Sequence, residues 1–246
     1  MQDIFKRCEE KYLMTKEQHA AIQNTFFLHM EPDEYGEYLV QNLYYDTENW
    51  DIIRASLEKL VYKEKLRLRC YGTLEESSGL YLELKKKYKG IVYKRRIPIP
   101  MDGFCVENVR DIVADNPSQI ARELDFYLKT NAVSEKIYIS YRRSAYAGVE
   151  DKNLRVTFDT DVRYRLESLD YSQPENGYAI LPRDGVLMEI KTLGAMPMWM
   201  VRTLCENRVF PTSFSKYGMC YIDYTFKRPE KLAFLNQPER RMVNNA

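Results

Sequence analysis

Lys65-Leu66-Arg67-Leu68-Arg69-Cys70 alternates strictly between basic and apolar residues. A β-strand turns successive side chains to opposite faces, so this spacing puts Lys65, Arg67 and Arg69 on one face and the apolar residues on the other. The stretch therefore predicts a strand with one cationic surface and one surface that packs into a core.

The same alternation recurs in three other segments, at 81–85, 154–159 and 186–191. Glu83 and Lys85 share the polar face of the first segment, and Glu189 and Lys191 share that of the last. An ordinary half-buried sheet carries scattered polar residues on its wet face. Here that face repeatedly carries Arg and Lys with a few single carboxylates, which is what a polyphosphate ligand would require.

The whole chain is almost neutral, although these strands are basic. Its 246 residues include 37 Lys and Arg against 36 Asp and Glu, a net charge of +1. We therefore expect no nucleic-acid partner, and the fold must segregate the positive charge. No repeat or linker divides the chain, so we expect a single domain over 1–246, with a core at about 5–227 and a polar tail at 228–246.

Targeting and metal motifs are missing from the sequence. No stretch approaches the ~20 apolar residues of a membrane-spanning helix, and the N-terminus has no apolar signal core. The five cysteines form no CxxC pair, and only two histidines could assist them, which argues against a zinc site. These observations favour a cytoplasmic protein with reduced thiols.

Periodicity and capping signals predict an α+β protein with antiparallel strands and helices between them. Helices are predicted at 15–29, 50–60, 102–132 and 197–208. Strand patterns occur at 7–13, 38–45, 65–71, 80–87, 91–99, 136–146, 153–165, 178–193 and 214–224, and we expect a sheet of about eight strands from these nine segments.

Two arrangements of these strands are open. In the first, an open sheet leaves its basic face in bulk solvent. In the second, eight strands close into a barrel with charges inside and helices outside, which encloses room for one small ligand. Each unpaired buried charge costs several kcal/mol against a total stability of ~5–15 kcal/mol, so such a lumen must be wet and must bind anions. Carboxylates inside it would pair with Lys and Arg or hold a divalent cation.

Eight short motifs follow one another along the chain, at 10–12, 65–72, 83–85, 94–96, 141–146, 154–160, 187–191 and 214–217. In this order and spacing they resemble the catalytic domain of the vacuolar transporter chaperone (VTC) polyphosphate polymerases. That family belongs to the CYTH-like superfamily of triphosphate tunnel metalloenzymes. The resemblance covers nearly the whole chain and implies a closed eight-stranded antiparallel β-barrel with helices packed outside.

The resemblance also implies an activity, namely transfer of the terminal phosphoryl group of ATP to a growing polyphosphate chain. Forked arginine donors would grip phosphate oxygens, and lysines would act as point charges along the phosphates. The implied catalytic residues are Lys11, Arg67, Arg69, Lys85, Lys94, Arg143, Arg155 and Lys216, and Lys65, Arg96 and Lys191 join them as phosphate ligands. Glu189 would hold Mn²⁺ or Mg²⁺, with Glu83 as a second candidate and Glu9 as a third.

Some of these assignments have a rival on the same strand. Arg142 competes with Arg143, and Arg96 competes with Lys94. Asp159 and Lys191 face inward by alternation, and a salt bridge with neighbouring side chains would explain either of them equally well.

Two departures from the family pattern bear on which function the resemblance implies. Hydrolytic members of the superfamily begin with Glu-x-Glu-x-Lys, whereas Arg7 replaces the first carboxylate here. A triphosphatase in the same tunnel is therefore less favoured, but it stays an alternative, as does a non-catalytic polyphosphate-binding module. The chain also begins at the barrel, without a phosphate-sensing domain or membrane helices. We therefore expect a stand-alone, bacterial-type form, and a membrane partner is left open.

Overall fold

A computed structural model describes residues 8–58, 60–75, 79–89, 91–102 and 104–227. Arg7 and the predicted tail at 228–246 lie outside these residues. The described strands are β1 (Cys8–Thr15), β2 (Met30–Thr47), β3 (Tyr62–Tyr71), β4 (Gly79–Tyr88), β5 (Ile91–Ile99), β6 (Val133–Gly148), β7 (Arg155–Arg165), β8 (Tyr178–Ala179) and β9 (Gly185–Thr192). The described helices are α1 (Lys16–His29), α2 (Asp51–Leu57), α3 (Val109–Asp115), α4 (Gln119–Thr130), α5 (Met198–Glu206) and α6 (Lys216–Ile222).

All of these strands join one antiparallel sheet. Its order is β1-β9-β7-β6-β2-β3-β4-β5, and the short β8 pairs with β7. The register places Arg67 of β3 opposite Glu83 of β4, and Glu83 opposite Arg96 of β5. Because directly opposite residues share a face, the charged side chains of neighbouring strands come together on one side of the sheet. This arrangement confirms the predicted α+β class and the antiparallel sheet.

The closed barrel is not confirmed, because β1 and β5 do not pair with each other in the described part of the chain. The free edge of β1 is occupied by another segment: the Thr212 N–H donates to the Lys11 carbonyl at 2.7 Å, and Tyr12 bridges to Pro211. Pro98 lies in β5 and cannot donate to a further strand, which suits an edge position. A side-chain ion pair links the flanks instead, with Lys85 Nζ 3.6 Å from Glu9 Oε2.

The helices cover the apolar face of the curled sheet. Leu66 and Leu68 of β3 pack in one buried cluster with Leu124 and Leu128 of α4. Residues of α1 and α5 pack on β1, β7 and β9 in a second cluster. Each buried leucine contributes about 1.5–3 kcal/mol relative to an exposed one, so these contacts stabilise the sheet and leave its charged face on the side away from the helices.

Some predicted element boundaries were wrong. The single helix expected at 102–132 is divided where Asn116, which precedes Pro117, adopts an extended conformation. The strand expected at 178–193 is divided into β8 and β9 by a stretch that contains Pro182. Among the described residues, no helix combines the length and apolar character that a membrane crossing requires.

The strand expected at 214–224 is instead the helix α6. Ser215 caps it, because its hydroxyl accepts a hydrogen bond from the Gly218 N–H at 3.1 Å. Lys216 is therefore the first residue of a helix rather than an inward position of a strand.

Candidate functional site

A cavity of about 140 Å³ lies against the charged face of the sheet. Eight of its lining residues are among the predicted phosphate ligands: Lys11, Lys65, Arg67, Arg69, Lys85, Arg143, Lys191 and Lys216. Two carboxylates, those of Glu9 and Glu189, line it as well. The lining therefore carries a large excess of positive charge.

Glu83 lies behind the cavity and organises four cations. Its side chain is 1% exposed, and Arg67 Nη2 lies 2.7 Å from its Oε2. Lys94 Nζ is 2.6 Å from Oε1, Arg96 Nε is 3.6 Å from Oε1, and Arg69 Nε is 4.0 Å from Oε2. Burial alone would raise the pKa of Glu83, but Arg67, Arg69 and Lys94 lower it to about 2. Glu83 therefore stays ionised and holds its arginines in place.

Asp159 plays the same part on the other side of the cavity. It is fully buried, and Arg143 donates to both of its oxygens, at 2.6 and 2.8 Å. Lys216 Nζ donates to Asp159 Oδ2 from the start of α6. Burial would raise the pKa of Asp159, but Arg143 and Lys216 bring it below its usual value. The salt bridge considered for Asp159 is therefore present, and it joins β6, β7 and α6.

The choice between Arg142 and Arg143 is decided by position. Arg143 lines the cavity, whereas Arg142 is exposed and pairs with Glu175 at 2.9 Å. The pairing of β6 with β7 shifts register between Ser140 and Arg142, just before these two arginines.

Glu189 and Glu9 face the cavity together, with lysines around them. Lys191 Nζ is 2.6 Å from Glu189 Oε1, and Lys11 Nζ is 3.7 Å from its Oε2. Lys11 also reaches Glu9, at 3.5 Å. Burial would raise the pKa of Glu189, but Lys191 and Lys11 lower it well below its usual range. Both carboxylates are thus anionic in a cationic lining.

Lys65 differs from the other cavity lysines in its partners. Its Nζ donates to Ser215 Oγ at 2.8 Å, and no carboxylate of the described residues lies within ion-pair distance. Burial lowers the pKa of Lys65 to about 7, and the positive charges of Lys11 and Lys85 add to the effect. An anion in the cavity would supply the negative charge that Lys65 lacks.

Three tyrosines, Tyr44, Tyr141 and Tyr217, line the cavity, although none of them was among the predicted site residues. The Tyr44 hydroxyl accepts from Arg67 Nη1 at 3.0 Å, and the Tyr141 hydroxyl accepts from Arg69 Nη2 at 3.2 Å. Burial would raise the pKa of Tyr141, but Arg143 and Arg69 lower it. The sequence spacing could have placed Tyr141 in the site, because it is two residues from Arg143 and therefore lies on the same face of the strand.

A family model described as the VTC domain matches residues 6–223. The chain belongs to the VTC domain family. No curated protein sequence matches this VTC domain.

This VTC domain is similar to solved structures at low sequence identity. It is similar to a putative adenylyl cyclase from Hippeastrum described as having a dominant triphosphatase activity, with a TM-score of 0.54 and 17% identity over 85% of this chain and 92% of that one. It is also similar to the PH1819 protein from Pyrococcus horikoshii OT3 (TM-score 0.47, 17% identity, 93% and 99% coverage). A third match is a putative adenylate cyclase from Vibrio parahaemolyticus (TM-score 0.48, 12% identity over 87% of this chain and 97% of that one). The first likeness shows a shared fold.

Three predicted phosphate ligands lie outside the cavity of the VTC domain. Lys94 and Arg96 contact Glu83 instead of lining the cavity. Arg155 is exposed, although alternation puts it on the same face of β7 as Asp159. Their contact with phosphate is still a prediction, and their positions put them beside the cavity rather than in it.

The carboxylates of the cavity suit a hard divalent cation. Mg²⁺ is usually held through one or two carboxylates together with waters and substrate phosphates, and Glu189 and Glu9 supply that number of protein ligands. Among the described residues no group of three or more Asp, Glu, His or Cys side chains could hold an ion alone. Glu189 lines the cavity, whereas Glu83 lies behind it with a side chain that is 1% exposed, which favours Glu189 over Glu83 as the ligand.

Proposed function

We propose that this VTC domain binds ATP and linear polyphosphate in the cavity and transfers the terminal phosphoryl group of ATP to the polyphosphate chain. One observation carries the proposal. Eight cationic side chains line the cavity against two carboxylates, and Lys65 among them has no acidic partner in the described part of the chain. A ligand with several closely spaced negative charges is the complement of such a surface.

The transfer requires little covalent help from the protein. A terminal oxygen of the polyphosphate acceptor attacks the γ-phosphorus of ATP, and the bond from that phosphorus to the β,γ-bridging oxygen breaks. ADP leaves with the bonding electron pair on its β-phosphate. The acceptor oxygen is already anionic, so no proton has to be removed from it, and the absence of His, Cys and Asp from the cavity lining is compatible with this chemistry.

Positioning is the task of the arginines. Glu83 fixes Arg67 from behind, and Asp159 fixes Arg143 through two hydrogen bonds. Donors that are held in this way cost little reorganisation when charge shifts from the acceptor to the leaving group. A Mn²⁺ or Mg²⁺ ion held by Glu189 and Glu9 would add a Lewis acid that neutralises phosphate charge.

Hydrolysis is a second candidate, and the pair of carboxylates favours it. Glu9 and Glu189 face the same cavity, and a carboxylate there can accept a proton from an attacking water. With water as the acceptor, the same site would release inorganic phosphate from a triphosphate.

Product analysis separates these activities. Purified protein is incubated with ATP and Mn²⁺, and the products are resolved on a gel that displays polyphosphate. A ladder of polyphosphate with matching ADP supports the polymerase, and inorganic phosphate without a ladder supports the hydrolase. Arg143→Ala should abolish either product, whereas Arg142→Ala, which removes the neighbouring arginine outside the cavity, should turn over like the parent. Consumption of no ATP, together with retained tripolyphosphate binding, would leave a binding module.

A further inference from the structure

A second pocket, of about 450 Å³, lies at one end of the charged face and is lined mainly by aromatic rings. Tyr35, Tyr38, Tyr71 and Tyr81 line it, together with Arg96 and Asp33. Its volume falls within the range of ligand sites for small molecules. The cavity described above has three tyrosines among its lining residues, but eight Lys and Arg side chains dominate it.

The rings form a continuous arc. The ring centroids of Tyr35 and Tyr38 are 6.1 Å apart, those of Tyr38 and Tyr71 are 6.3 Å apart, and those of Tyr71 and Tyr81 are 6.2 Å apart. The Arg96 guanidinium lies 3.4 Å from the centroid of Tyr81 and 5.8 Å from that of Tyr71. Tyrosine rings and a stacked guanidinium plane are the groups on which nucleobases stack.

The backbone makes room for this arc. Tyr81 packs over Gly79, where an added Cβ would collide with the tyrosine hydroxyl. On β2, the pairing with β6 shifts register between Pro32 and Glu37, which places Asp33 and Tyr35 on an irregular segment at the pocket. The Asp33 carboxylate adds a hydrogen-bond acceptor of the kind that can receive an exocyclic amine.

The pocket continues from the cationic cavity. Arg69 lines the cavity, and its Nη1 donates to the Tyr71 hydroxyl at 3.4 Å. Tyr71 is two residues beyond Arg69 on the same face of β3, a rise of about 6.6 Å. Across the ladder, Tyr81 is directly opposite Arg69. A triphosphate gripped by Arg69 would therefore bring the group attached to it to the tyrosines.

The other end of the charged face has a different character. Along β4, Lys87 is six residues from Tyr81, or about 20 Å. A pocket of about 540 Å³ there is lined by Lys11 and Lys87, by Glu9 and Glu10, and by the segment 211–214. The aromatic end and the charged end thus offer separate surfaces to the two parts of a nucleoside triphosphate or to the two substrates.

We infer that the tyrosine pocket is a nucleobase subsite that holds the base of a nucleoside triphosphate, while its phosphates lie in the cationic cavity. The inference rests on the proposed function for the phosphates, and it adds that the site recognises the nucleoside as well. An inorganic polyphosphate would leave the tyrosines uncovered. The base would enter from the tyrosine end, and the phosphate chain would extend toward Lys87.

Paired binding measurements test this inference. Dissociation constants for ATP and for inorganic tripolyphosphate are measured by calorimetry in EDTA, which prevents turnover, for the parent, Tyr38→Leu, Tyr35→Ala and Tyr88→Leu. Tyr35 is 61% exposed, so its replacement leaves the core intact, and Tyr88 is an exposed tyrosine outside the pocket that serves as the control. Loss of one base–aromatic stack should weaken ATP binding by about 5- to 150-fold.

The expected result is a loss for ATP in Tyr38→Leu and Tyr35→Ala, with tripolyphosphate unchanged within twofold and Tyr88→Leu like the parent for both ligands. Equal losses for both ligands, or no loss for ATP in either pocket variant, would overturn the subsite. Binding of tripolyphosphate but not of ATP by the parent would overturn the subsite and also ATP as the phosphoryl donor, and only the polyphosphate site would stand. Binding of neither ligand would overturn the proposed function and the subsite together.

Discussion

Lys65 should take up a proton when a polyphosphate enters the cavity. In the free protein its pKa is about 7 instead of the usual 10.5, because the side chain is buried and surrounded by the charges of Lys11 and Lys85. A bound polyanion offsets both influences, since it supplies negative charge where the described residues supply no carboxylate. Binding is therefore linked to protonation of Lys65.

The size of the effect follows from this pKa. At pH 8 a group with a pKa of about 7 is roughly one-tenth protonated, so binding should draw about 0.9 proton from solution. At pH 6 the group is already about nine-tenths protonated, and the uptake should fall to about 0.1 proton. Between these values, affinity should weaken toward high pH and approach a tenfold loss per pH unit above pH 7.

Calorimetry in two buffers of different ionisation enthalpy measures this uptake. Tripolyphosphate itself exchanges protons in this range, so the parent is compared with Lys65→Arg, in which the cation cannot be deprotonated. The variant should bind tripolyphosphate with about 0.9 fewer protons at pH 8. Lys152→Arg, at an exposed lysine that pairs with Glu31, should match the parent. Equal uptake by the parent and Lys65→Arg would refute the assignment of the linkage to Lys65.

Three further predictions concern the carboxylates and the outlying arginine. Glu83→Gln should lower the melting temperature at pH 7. Ionised Glu83 contributes about 3 kcal/mol to the free energy of unfolding above pH 4.5, and this contribution is lost as pH falls through about 2. A thermal scan that shows no change at pH 7 would contradict this prediction. Glu189→Gln should keep or tighten metal-free tripolyphosphate binding and reduce Mn²⁺-dependent ATP consumption at least ~10²-fold in a coupled assay, whereas parent-like turnover would exclude Glu189 as the metal ligand. Arg155→Ala should weaken polyphosphate binding less than Arg143→Ala in a direct titration, because Arg155 is exposed and Arg143 lines the cavity; the reverse order would place the chain of phosphates outside the cavity.

Alternation alone was sufficient to predict the charged face. The inward set on β3 and β4 follows from a period of two residues, and the register that pairs Arg67 with Glu83 confirms that their polar faces meet. The order of the motifs predicted the family, which the match over 6–223 confirms. What the pattern could not supply was the partner of each charge. Glu83 contacts four cations, whereas Lys65 has no carboxylate of the described residues within ion-pair distance. These contacts depend on strand order and on distance.

Prediction from local sequence was least accurate where tertiary contacts decide the backbone conformation. The segment 211–224 contains Phe214, Tyr217 and Tyr221 and has the composition of a strand. Hydrogen bonding of Thr212 to Lys11 ends the extended part early, and Ser215 then caps α6. The same segment occupies the edge of β1 that a closed barrel would need for β5. A sequence pattern shows neither contact. The first joins residues about 200 positions apart, and the second is a helix cap within a segment of mixed composition.

A structure of the protein with tripolyphosphate bound in the absence of metal is the most direct test of the central claim, which is that the inward cations form a polyphosphate site. We expect phosphorus atoms in a row through the cavity, with Lys65 Nζ, Arg67 and Arg143 within hydrogen-bond distance of phosphate oxygens. We also expect Glu83 and Asp159 to keep their arginine partners when the ligand binds. Phosphates bound only on the exposed face of the molecule, with the cavity lysines and arginines untouched, would contradict it.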